Sequence, residues 1–330
     1  MRAAHLVRTG GPDVIRVGEL PDPVPGPREA LVRVRACAVN PIDTYVRSGA
    51  VSFPLPIPFV IGCDLAGEVV GVGGEVSSLR PGMRVWGSNQ GLLGRQGTFA
   101  ELAAVDERWL YPTPDEVDDR TAAAGALVSI TAHLGLVSHA GLRAGETVFV
   151  SGASGGVGSA VIQIARALGA RVIGSAGSDA KRKRVLALGA EAAFDYRSGD
   201  LVTAAMAAAP RGIDVYWETA RVPDFDRAVA MLADGGRIVL MAGRDARPEF
   251  PVGPFYVKGC RMAGFAMFKA DWRLQAAAAL DINRWMAEGR LRVPIDRVLP
   301  LEAAAEAHAL QEAATVGGGG TLSGKIVIEP

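Results

Sequence analysis

The sequence predicts an α/β protein in which a parallel sheet covered by helices follows a β-rich part. Short valine-rich segments separated by Pro–Gly turns fill roughly the first 120 residues, which suggests a small barrel or sandwich. From Thr121 onward, strand-like runs alternate with helix-like segments. That alternation is typical of a doubly wound parallel sheet with both faces buried. A last strand-like run is expected to return to the β-rich part.

The composition excludes several classes of protein. Of the 330 residues, 49% are hydrophobic, and 35 basic residues balance 35 acidic ones, which argues against disorder and against a nucleic acid as partner. Three cysteines are too few for a disulfide framework. We expect that no apolar stretch of about 18 residues exists, which excludes a membrane span, and the N-terminal residues lack a signal-peptide core. A cytoplasmic protein is the resulting expectation.

The β-rich part is punctuated by turns. Residues 21–27 are too rich in proline to be helical, whereas residues 30–39 and 83–86 are predicted strands. Residues 64–76 mix valines with four glycines and are predicted to form a tightly turning strand region.

Alternation in the second part gives an ordered set of elements. Strands are predicted at 147–150, 171–175, 192–194, 213–217, 237–241 and 261–266, and helices at 122–136, 156–168 and 178–188. Beyond Met267 we predict helices at 274–288 and 302–314, a strand or turn at 298–301, a flexible loop at Gly317–Gly320 and a strand at 324–328.

A glycine-rich turn, Ser151-Gly152-Ala153-Ser154-Gly155-Gly156-Val157-Gly158, follows the first of these strands and opens a helix. Gly155 permits close approach of a pyrophosphate to the backbone, and Gly158 permits close packing of the helix on the strand. The free amides at the helix start and the positive end of its dipole attract the anion. A purely structural turn is the alternative, but the alternating elements on both sides favour a dinucleotide site.

The end of the second strand distinguishes the two nicotinamide coenzymes. An NAD site usually carries Asp or Glu about 20 residues after the turn, where it binds the ribose hydroxyls. This strand ends in Gly174-Ser175-Ala176-Gly177-Ser178, and Lys181 follows. The absence of an acid there, together with the cation, favours NADPH. The rest of the basic run, Arg182 to Arg184, is equally compatible with a solvated helix face, and Asp179 weakens the assignment slightly.

Metal and hydrolytic chemistry lack their usual residues. No Cys-x-x-Cys and no zinc-like spacing of His and Cys occurs, and no Gly-x-Ser-x-Gly is present. Cys37, Cys63 and Cys260 are predicted to be core residues. Hydride transfer requires neither metal ligands nor a nucleophilic serine, because the cofactor carries the chemistry.

Several segments together resemble the medium-chain dehydrogenase/reductase superfamily and, within it, the zinc-free quinone oxidoreductases. The segments that carry the resemblance are 39–49, 62–69, 81–85, 97–101 and 153–158. The resemblance implies a Rossmann doubly wound parallel sheet inserted into a GroES-like β-barrel domain. It divides the chain at 1–122, 123–266 and 267–330, with the last part returning to the first and the site expected in the cleft. Where zinc alcohol dehydrogenases carry a ligand Cys and a ligand His, this chain has Asn40 and Cys63.

The resemblance also implies site residues. Asn40 and Tyr45 would face the substrate, with core packing as the alternative for Tyr45, and Asp43 and Asp64 would be structural. The residues implied at the cofactor are Ser154, Gly155, Gly156 and Val157 at the pyrophosphate, Ser175, Gly177, Lys181, Tyr196 and Lys325 at the 2′-phosphate, and Thr131, Gly243, Arg244, Phe265 and Ala266 at the ribose and nicotinamide.

The implied activity is zinc-independent hydride transfer from NADPH to a quinone or similar small electron acceptor. The alternatives are an NADPH-dependent 2-alkenal or enoyl reductase and a non-catalytic NADPH-binding protein. Relatives commonly pair through the edge strand of the nucleotide domain, here near residues 261–266, so a homodimer is expected. One departure from the family is Arg221, where a glycine is usual. With Arg244 it suggests an acidic acceptor.

Overall fold

The computed structural model describes residues 1–315 and 322–330. These residues form two compact units, one made of Met1–Leu127 with Asp271–Pro330 and the other of Val128–Ala270. We call them the β-rich unit and the nucleotide unit. The predicted boundaries, after residues 122 and 266, lie slightly earlier in the chain. The predicted loop at Gly317–Gly320 lies outside the described residues.

Strands dominate the first third of the chain, and strands and helices alternate after it. The strands are β1 (Arg2–Leu6), β2 (Arg16–Glu19), β3 (Glu29–Ala38), β4 (Phe59–Val60), β5 (Asp64–Val72), β6 (Arg84–Gly87), β7 (Leu102–Asp106), β8 (Leu110–Pro112), β9 (Thr147–Val150), β10 (Arg171–Ser175), β11 (Ala192–Phe194), β12 (Ile213–Glu218), β13 (Leu232–Leu240), β14 (Arg261–Gly264), β15 (Ile295–Pro300) and β16 (Lys325–Glu329). The helices are α1 (Pro41–Ser48), α2 (Asp119–His133), α3 (Gly156–Ala167), α4 (Asp179–Ala187), α5 (Leu201–Ala208), α6 (Phe225–Met231), α7 (Val252–Val257), α8 (Trp272–Ala287) and α9 (Ala304–Thr315).

The nucleotide unit is built on the predicted parallel sheet, in the order β11-β10-β9-β12-β13-β14. Each neighbouring pair is parallel. The chain starts at β9 in the middle, runs outward to β11 and then crosses back to β12, so the strand order reverses between β9 and β12. Every residue of β9 is buried, as expected for a strand covered on both faces. The doubly wound fold is confirmed.

Local sequence explains how the first two helices of this unit begin and end. Helix α3 starts directly after Gly155, and its apolar residues Val161, Ile162 and Ile164 are buried. The Ser178 hydroxyl accepts a hydrogen bond from the Lys181 backbone N–H and so caps α4.

The β-rich unit is organised around the long strand β3. Its main sheet has the order β15-β16-β3-β5-β6-β8, and β7 pairs with the first half of β3. A second sheet has the order β2-β1-β4. Strand β16 pairs with β3 at Ala38 and Cys37, which confirms that the last strand returns to the first part of the chain. Trp86, Phe99 and Leu65 are among the residues of its core.

The stretch Asp119–His139, which is α2 and the π-helical turn after it, is long and apolar enough to cross a membrane by length and hydropathy. The expectation that no such stretch exists was therefore wrong. Of its most apolar window, 83% is buried within the protein, the situation of a core helix in a globular fold.

Four helices were absent from the sequence prediction: α1, α5, α6 and α7. Helix α1 is short and begins at Pro41, a residue that breaks helices elsewhere but suits a first turn. Helices α5 and α6 pack against the sheet with Leu201, Ala205 and Phe225, so tertiary burial stabilises what local sequence leaves ambiguous.

Candidate functional site

The candidate cofactor residues follow the carboxyl ends of the parallel strands. Because every strand pair of the nucleotide unit is parallel, the strand ends Val150, Ser175, Glu218, Leu240 and Gly264 lie at one edge of the sheet. Ligands of open α/β sheets bind at this edge, beside the point where strand order reverses. Most of the predicted cofactor residues occur within a few positions of these ends. Thr131 is different, because it is buried within α2.

The glycine turn has the form of a phosphate cradle. Gly155 is exposed and immediately precedes α3, so the first amides of the helix face outward without helical partners. A Cβ at Gly158 would lie 2.5 Å from the Gly152 carbonyl oxygen, so only glycine lets the helix approach the turn. Ala153 N–H donates to the Ser175 carbonyl at 2.9 Å, which ties the turn to β10. The turn therefore fits a pyrophosphate group.

The ends of β10 and β11 bring three predicted residues together. Ser175 is buried, and the Tyr196 ring lies against Gly177, where an added Cβ would be 2.6 Å from the phenol oxygen. Tyr196 is 46% exposed and available to a ligand. Within the basic run, Arg182 bonds Asp195 at 2.9 Å and Asp179 at 2.7 Å. The carboxylates thus neutralise Arg182, and Lys181 remains the candidate for a 2′-phosphate.

The ends of β12 and β13 carry the departures from the family pattern. Glu218 is buried, its carboxylate accepts a hydrogen bond from Ala220 N–H at 2.6 Å, and burial raises its pKa. Gly243 lies against the next loop, where an added Cβ would be 3.1 Å from the Arg221 carbonyl oxygen. The Arg221 side chain is exposed and the Arg244 side chain is 49% exposed. Two basic side chains therefore follow the ends of β12 and β13, and Asp245 Oδ1 lies 3.9 Å from Arg244 Nε.

An aromatic pair follows β14. The Phe265 ring stacks on the His139 ring with centroids 4.5 Å apart and an interplanar angle of 23°. Both Phe265 and Ala266 are partly buried. Trp217 lies against Gly135, where an added Cβ would be 2.3 Å from the indole ring and 3.1 Å from the Phe265 ring. Trp217 is fully buried beneath this pair, so Phe265 and His139 are the rings of the group that remain accessible.

The β-rich unit contains a buried polar cluster around Asn40. Its Nδ2 donates to Asp64 Oδ2 at 2.8 Å and to the Ala38 carbonyl at 3.2 Å. Lys325 Nζ donates to Asn40 Oδ1 and, at 2.6 Å, to the Val39 carbonyl. All the polar atoms of the Asn40 side chain are thus engaged within the protein.

Two more hydrogen bonds extend this cluster to neighbouring elements. Ser88 Oγ donates to Asp64 Oδ1 at 2.6 Å, and the Asn40 N–H donates to Asp43 Oδ2 at 2.7 Å. The second bond caps α1, whose N-cap residue is Asn40. The cluster therefore links the end of β3 to the starts of α1, β5 and β16.

Burial dominates the electrostatics of the cluster. It raises the pKa of Asp43 to about 7 and also raises the pKa of Asp64, while the nearby Lys325 and hydrogen bonds lower both in part. Burial lowers the pKa of Lys325, and Asp64 and Asp43 oppose that shift. The direct contacts of the Lys325 amino group are with Asn40 and Val39, and the two carboxyl groups act on it electrostatically. A buried charge without such partners would be very unfavourable.

Two predicted roles need correction. Lys325 is only 4% exposed and its Nζ bonds to Asn40 and Val39, so it does not fit the 2′-phosphate site at which it was placed. Asn40 is fully buried and its amide is engaged, so it does not present a free group to a substrate. Tyr45, in α1, is partly exposed and keeps that candidate role.

Sequence reasoning missed the polar cluster as a unit. It treated Asp43 and Asp64 as separate structural carboxylates and the cysteines as core residues. The prediction that Cys63 is a core residue is confirmed, and its thiol pKa is raised by burial and by Asp43. The available signal was that Asp43 and Asp64 both lie in segments that carry the family resemblance, 39–49 and 62–69.

The comparisons with known proteins agree with this architecture. The model of the alcohol dehydrogenase GroES-like domain matches residues 26–115, and that of the zinc-binding dehydrogenases matches residues 156–281. The quinone oxidoreductase of Sus scrofa is 36% identical over 313 residues, covering 93% of each chain.

Solved structures resemble the whole chain. An NAD-dependent alcohol dehydrogenase is 33% identical with a TM-score of 0.89, and the match covers 100% of both chains. The mycobacterial protein Rv1454c, solved in complex with NADPH, is 28% identical with a TM-score of 0.86, also over 100% of both chains.

The zinc named in one family description does not fit the residues of this chain. Zinc needs lone pairs from thiolate, imidazole or carboxylate ligands. In the described parts of the chain, no group of three or more His, Cys, Asp and Glu side chains is arranged to hold a metal ion. Where zinc alcohol dehydrogenases carry a ligand Cys and a ligand His, this chain has Asn40, whose amide is engaged by the Lys325 ammonium, and Cys63, whose thiol pKa is raised well above its usual range.

Proposed function

Since this chain belongs to the quinone oxidoreductase family of the medium-chain dehydrogenases/reductases, we propose that it is an NADPH-dependent, zinc-independent quinone reductase. The observation that carries this proposal is the open glycine turn at the start of α3, beside strand ends that present Gly177, Tyr196 and Lys181 in place of an acid. A carboxylate at the end of β10 would repel a 2′-phosphate, and this chain has none there.

Different parts of the nucleotide unit are assigned to different parts of the coenzyme. The amides of Ser154, Gly155, Gly156 and Val157 bind the pyrophosphate, with the positive end of the α3 dipole adding attraction. Ser175, Gly177, Lys181 and Tyr196 surround the 2′-phosphate. The residues assigned to the ribose and nicotinamide are Thr131, Gly243, Arg244, Phe265 and Ala266. When bound, NADPH supplies the hydride.

The chemical demands on the protein are small. The Tyr45 hydroxyl orients the acceptor oxygen by donating a hydrogen bond, and solvent supplies the proton. No strong general base is required, because charge on a reduced quinone is delocalised. The partly buried Phe265 ring lowers the local dielectric constant and helps to keep water away from the reacting face.

A scan of electron acceptors tests the proposal. Steady-state oxidation of NADPH and NADH is measured in parallel with a small benzoquinone and with an α,β-unsaturated ketone. We expect the quinone to be reduced, with kcat/KM for NADPH exceeding that for NADH by about tenfold or more. Preference for the ketone favours the alternative enoyl or 2-alkenal reductase. Tight NADPH binding without turnover of any acceptor favours a non-catalytic NADPH-binding protein.

We also propose a homodimer and a cytoplasmic location. The support for the dimer is β14, which pairs with β13 and, within residues 1–315 and 322–330, with no further strand. Exposed apolar side chains occur nearby, with Tyr256 at 69% and Val257 at 75% exposure. Support for the location comes from Cys37, Cys63 and Cys260, which are free thiols as in a reducing compartment. Cell fractionation tests it.

A further inference from the structure

The polar cluster of the β-rich unit surrounds Lys325 on several sides. Its Nζ contacts the Val39 carbonyl at 2.6 Å and the Asn40 side-chain oxygen, and it is almost completely buried. A lysine in this environment retains its charge only beside anionic groups. Asp64 and Asp43 supply them, because both favour the ammonium form of Lys325.

The contacts of Lys325 continue into the region assigned to the acceptor. Asn40 is the N-cap residue of α1, and Tyr45 lies on the same helix. Asn40 reaches Asp64 of β5 with Nδ2 and Lys325 of β16 with Oδ1. The position of the α1 start is therefore fixed from two strands at once, and one of these links depends on the ammonium.

We propose that Lys325 is a positioning residue, an internal cation that holds Asn40 and the start of α1, and hence Tyr45, where zinc-binding dehydrogenases use a metal ion. The proposal rests on the proposed reductase function for its kinetic part only. It replaces the role at the 2′-phosphate, because the lysine lies in the β-rich unit with both described contacts inside the cluster.

The first test compares Lys325→Met with the double variant Lys325→Met/Asp64→Asn. The single variant leaves Asp64 without its cation and should lower the melting temperature strongly. The double variant removes both charges, and the Ser88 hydroxyl is able to accept a hydrogen bond from the new amide, so most of that loss should be regained. Lys269→Met, at a lysine outside the cluster, is the matched control.

Three measurements separate positioning from stability. In both variants we expect kcat with a quinone to fall about tenfold. Deuterium uptake should rise in peptides covering Pro41–Ser48. The dissociation constant for NADPH should stay within about twofold, because neither described contact of the Lys325 amino group is with a residue assigned to the coenzyme. Should Lys325→Met fail to fold, the double variant carries the same comparison.

The contrary outcomes are distinct. If the double variant regains wild-type kcat and wild-type uptake at 41–48, Lys325 only neutralises Asp64 and the proposal is wrong. If Lys325→Met weakens NADPH binding about tenfold with kcat unchanged, the lysine binds the coenzyme instead. An absence of turnover in the wild type would refute the reductase function, while the uptake measurement would still decide the role of Lys325.

Metal analysis provides an independent check. The wild-type protein is dialysed against zinc chloride and then against metal-free buffer, and bound zinc is measured by mass spectrometry. The ammonium and zinc exclude each other electrostatically. We expect no zinc above background. Stoichiometric zinc whose binding is abolished by Cys63→Ser would overturn the claim that Lys325 takes the place of the metal.

Discussion

The Tyr196 ring packs directly on the backbone of Gly177, and a Cβ at Gly177 would lie 2.6 Å from the phenol oxygen and 2.9 Å from the nearest ring carbons. Gly177→Ala should therefore displace Tyr196 and weaken NADPH binding about three- to tenfold. Titration calorimetry with NADPH measures the effect. Gly199→Ala is the control, because a Cβ there meets nothing within 4 Å. Equal affinity in the two variants would remove Tyr196 from the site.

Lys181 and Lys183 form a second matched pair in α4. Lys181 lies in the first turn of the helix, beside the end of β10, and Lys183 is exposed. Lys181→Ala should weaken NADPH binding about tenfold, the loss expected for one charge-assisted phosphate contact, and leave NADH binding unchanged. Lys183→Ala should change neither. If both coenzymes lose affinity equally, Lys181 does not bind the 2′-phosphate.

Arg221 and Arg244 should together set the charge preference for the acceptor. In the double variant Arg221→Gly/Arg244→Ala, KM for a sulfonated naphthoquinone should rise about threefold or more, as expected for loss of rim charges. KM for the unsubstituted quinone should not change. Steady-state assays at low and high salt measure both, since screening should shrink the difference. The charge hypothesis fails if the two acceptors respond alike.

His308 should make the protein less stable in mild acid. Burial lowers its pKa to about 3, and the Arg47 guanidinium adds to the shift. Below pH 6.5, the ordinary pKa of histidine, His308 is protonated in the unfolded chain but stays neutral in the folded protein. The free energy of unfolding is therefore unaffected by His308 above pH 6.5 and falls between pH 6.5 and pH 3, by up to about 1.4 kcal/mol per pH unit.

Denaturant titrations of wild type and His308→Gln test this prediction between about pH 4 and pH 7. The variant should be less sensitive to acid than the wild type, because glutamine does not titrate. His139→Gln, at an exposed histidine, should keep the wild-type slope. Parallel stability curves for His308→Gln and wild type would contradict the assignment.

The outer side of β14 should carry the dimer contact. Phe265 N–H donates inward to the Leu240 carbonyl at 3.4 Å, and residues that alternate along a parallel strand point their N–H groups to opposite sides, so Met262 N–H points outward. Met262→Pro removes this donor and should shift the protein to a monomer in light-scattering measurements. Met262→Val keeps the donor and should remain a dimer. Wild-type protein that is monomeric at micromolar concentration would contradict the proposal.

Local patterns explain why part of the molecule was predictable. The strands at 147–150, 171–175 and 192–194 were predicted with their observed bounds, because apolar β-formers stand between turn residues. The glycine turn was also predictable, because its role as a phosphate site follows from the spacing of residues that are neighbours in sequence.

The remaining features depend on distant parts of the chain. Lys325 and Asn40 are 285 positions apart, and no local pattern relates them. A lysine in a C-terminal strand is ordinarily exposed, and the groups that the Lys325 side chain contacts, the Val39 carbonyl and the Asn40 amide, come directly after β3. The missed helices α5 and α6 likewise depend on packing against the sheet rather than on helix-forming sequence.

Strand β16 lies between β15 and β3, although the whole nucleotide unit separates it from β3 in sequence. On the ribosome, the strands of Val128–Ala270 emerge together and are free to pair while synthesis continues. During that time the edge of β3 at Cys37 and Ala38 is unpaired, because its partner β16 is translated much later. In nascent chains halted before Lys325, the nucleotide unit should therefore be folded, while the β-rich unit should remain incomplete, prone to aggregation and dependent on chaperones.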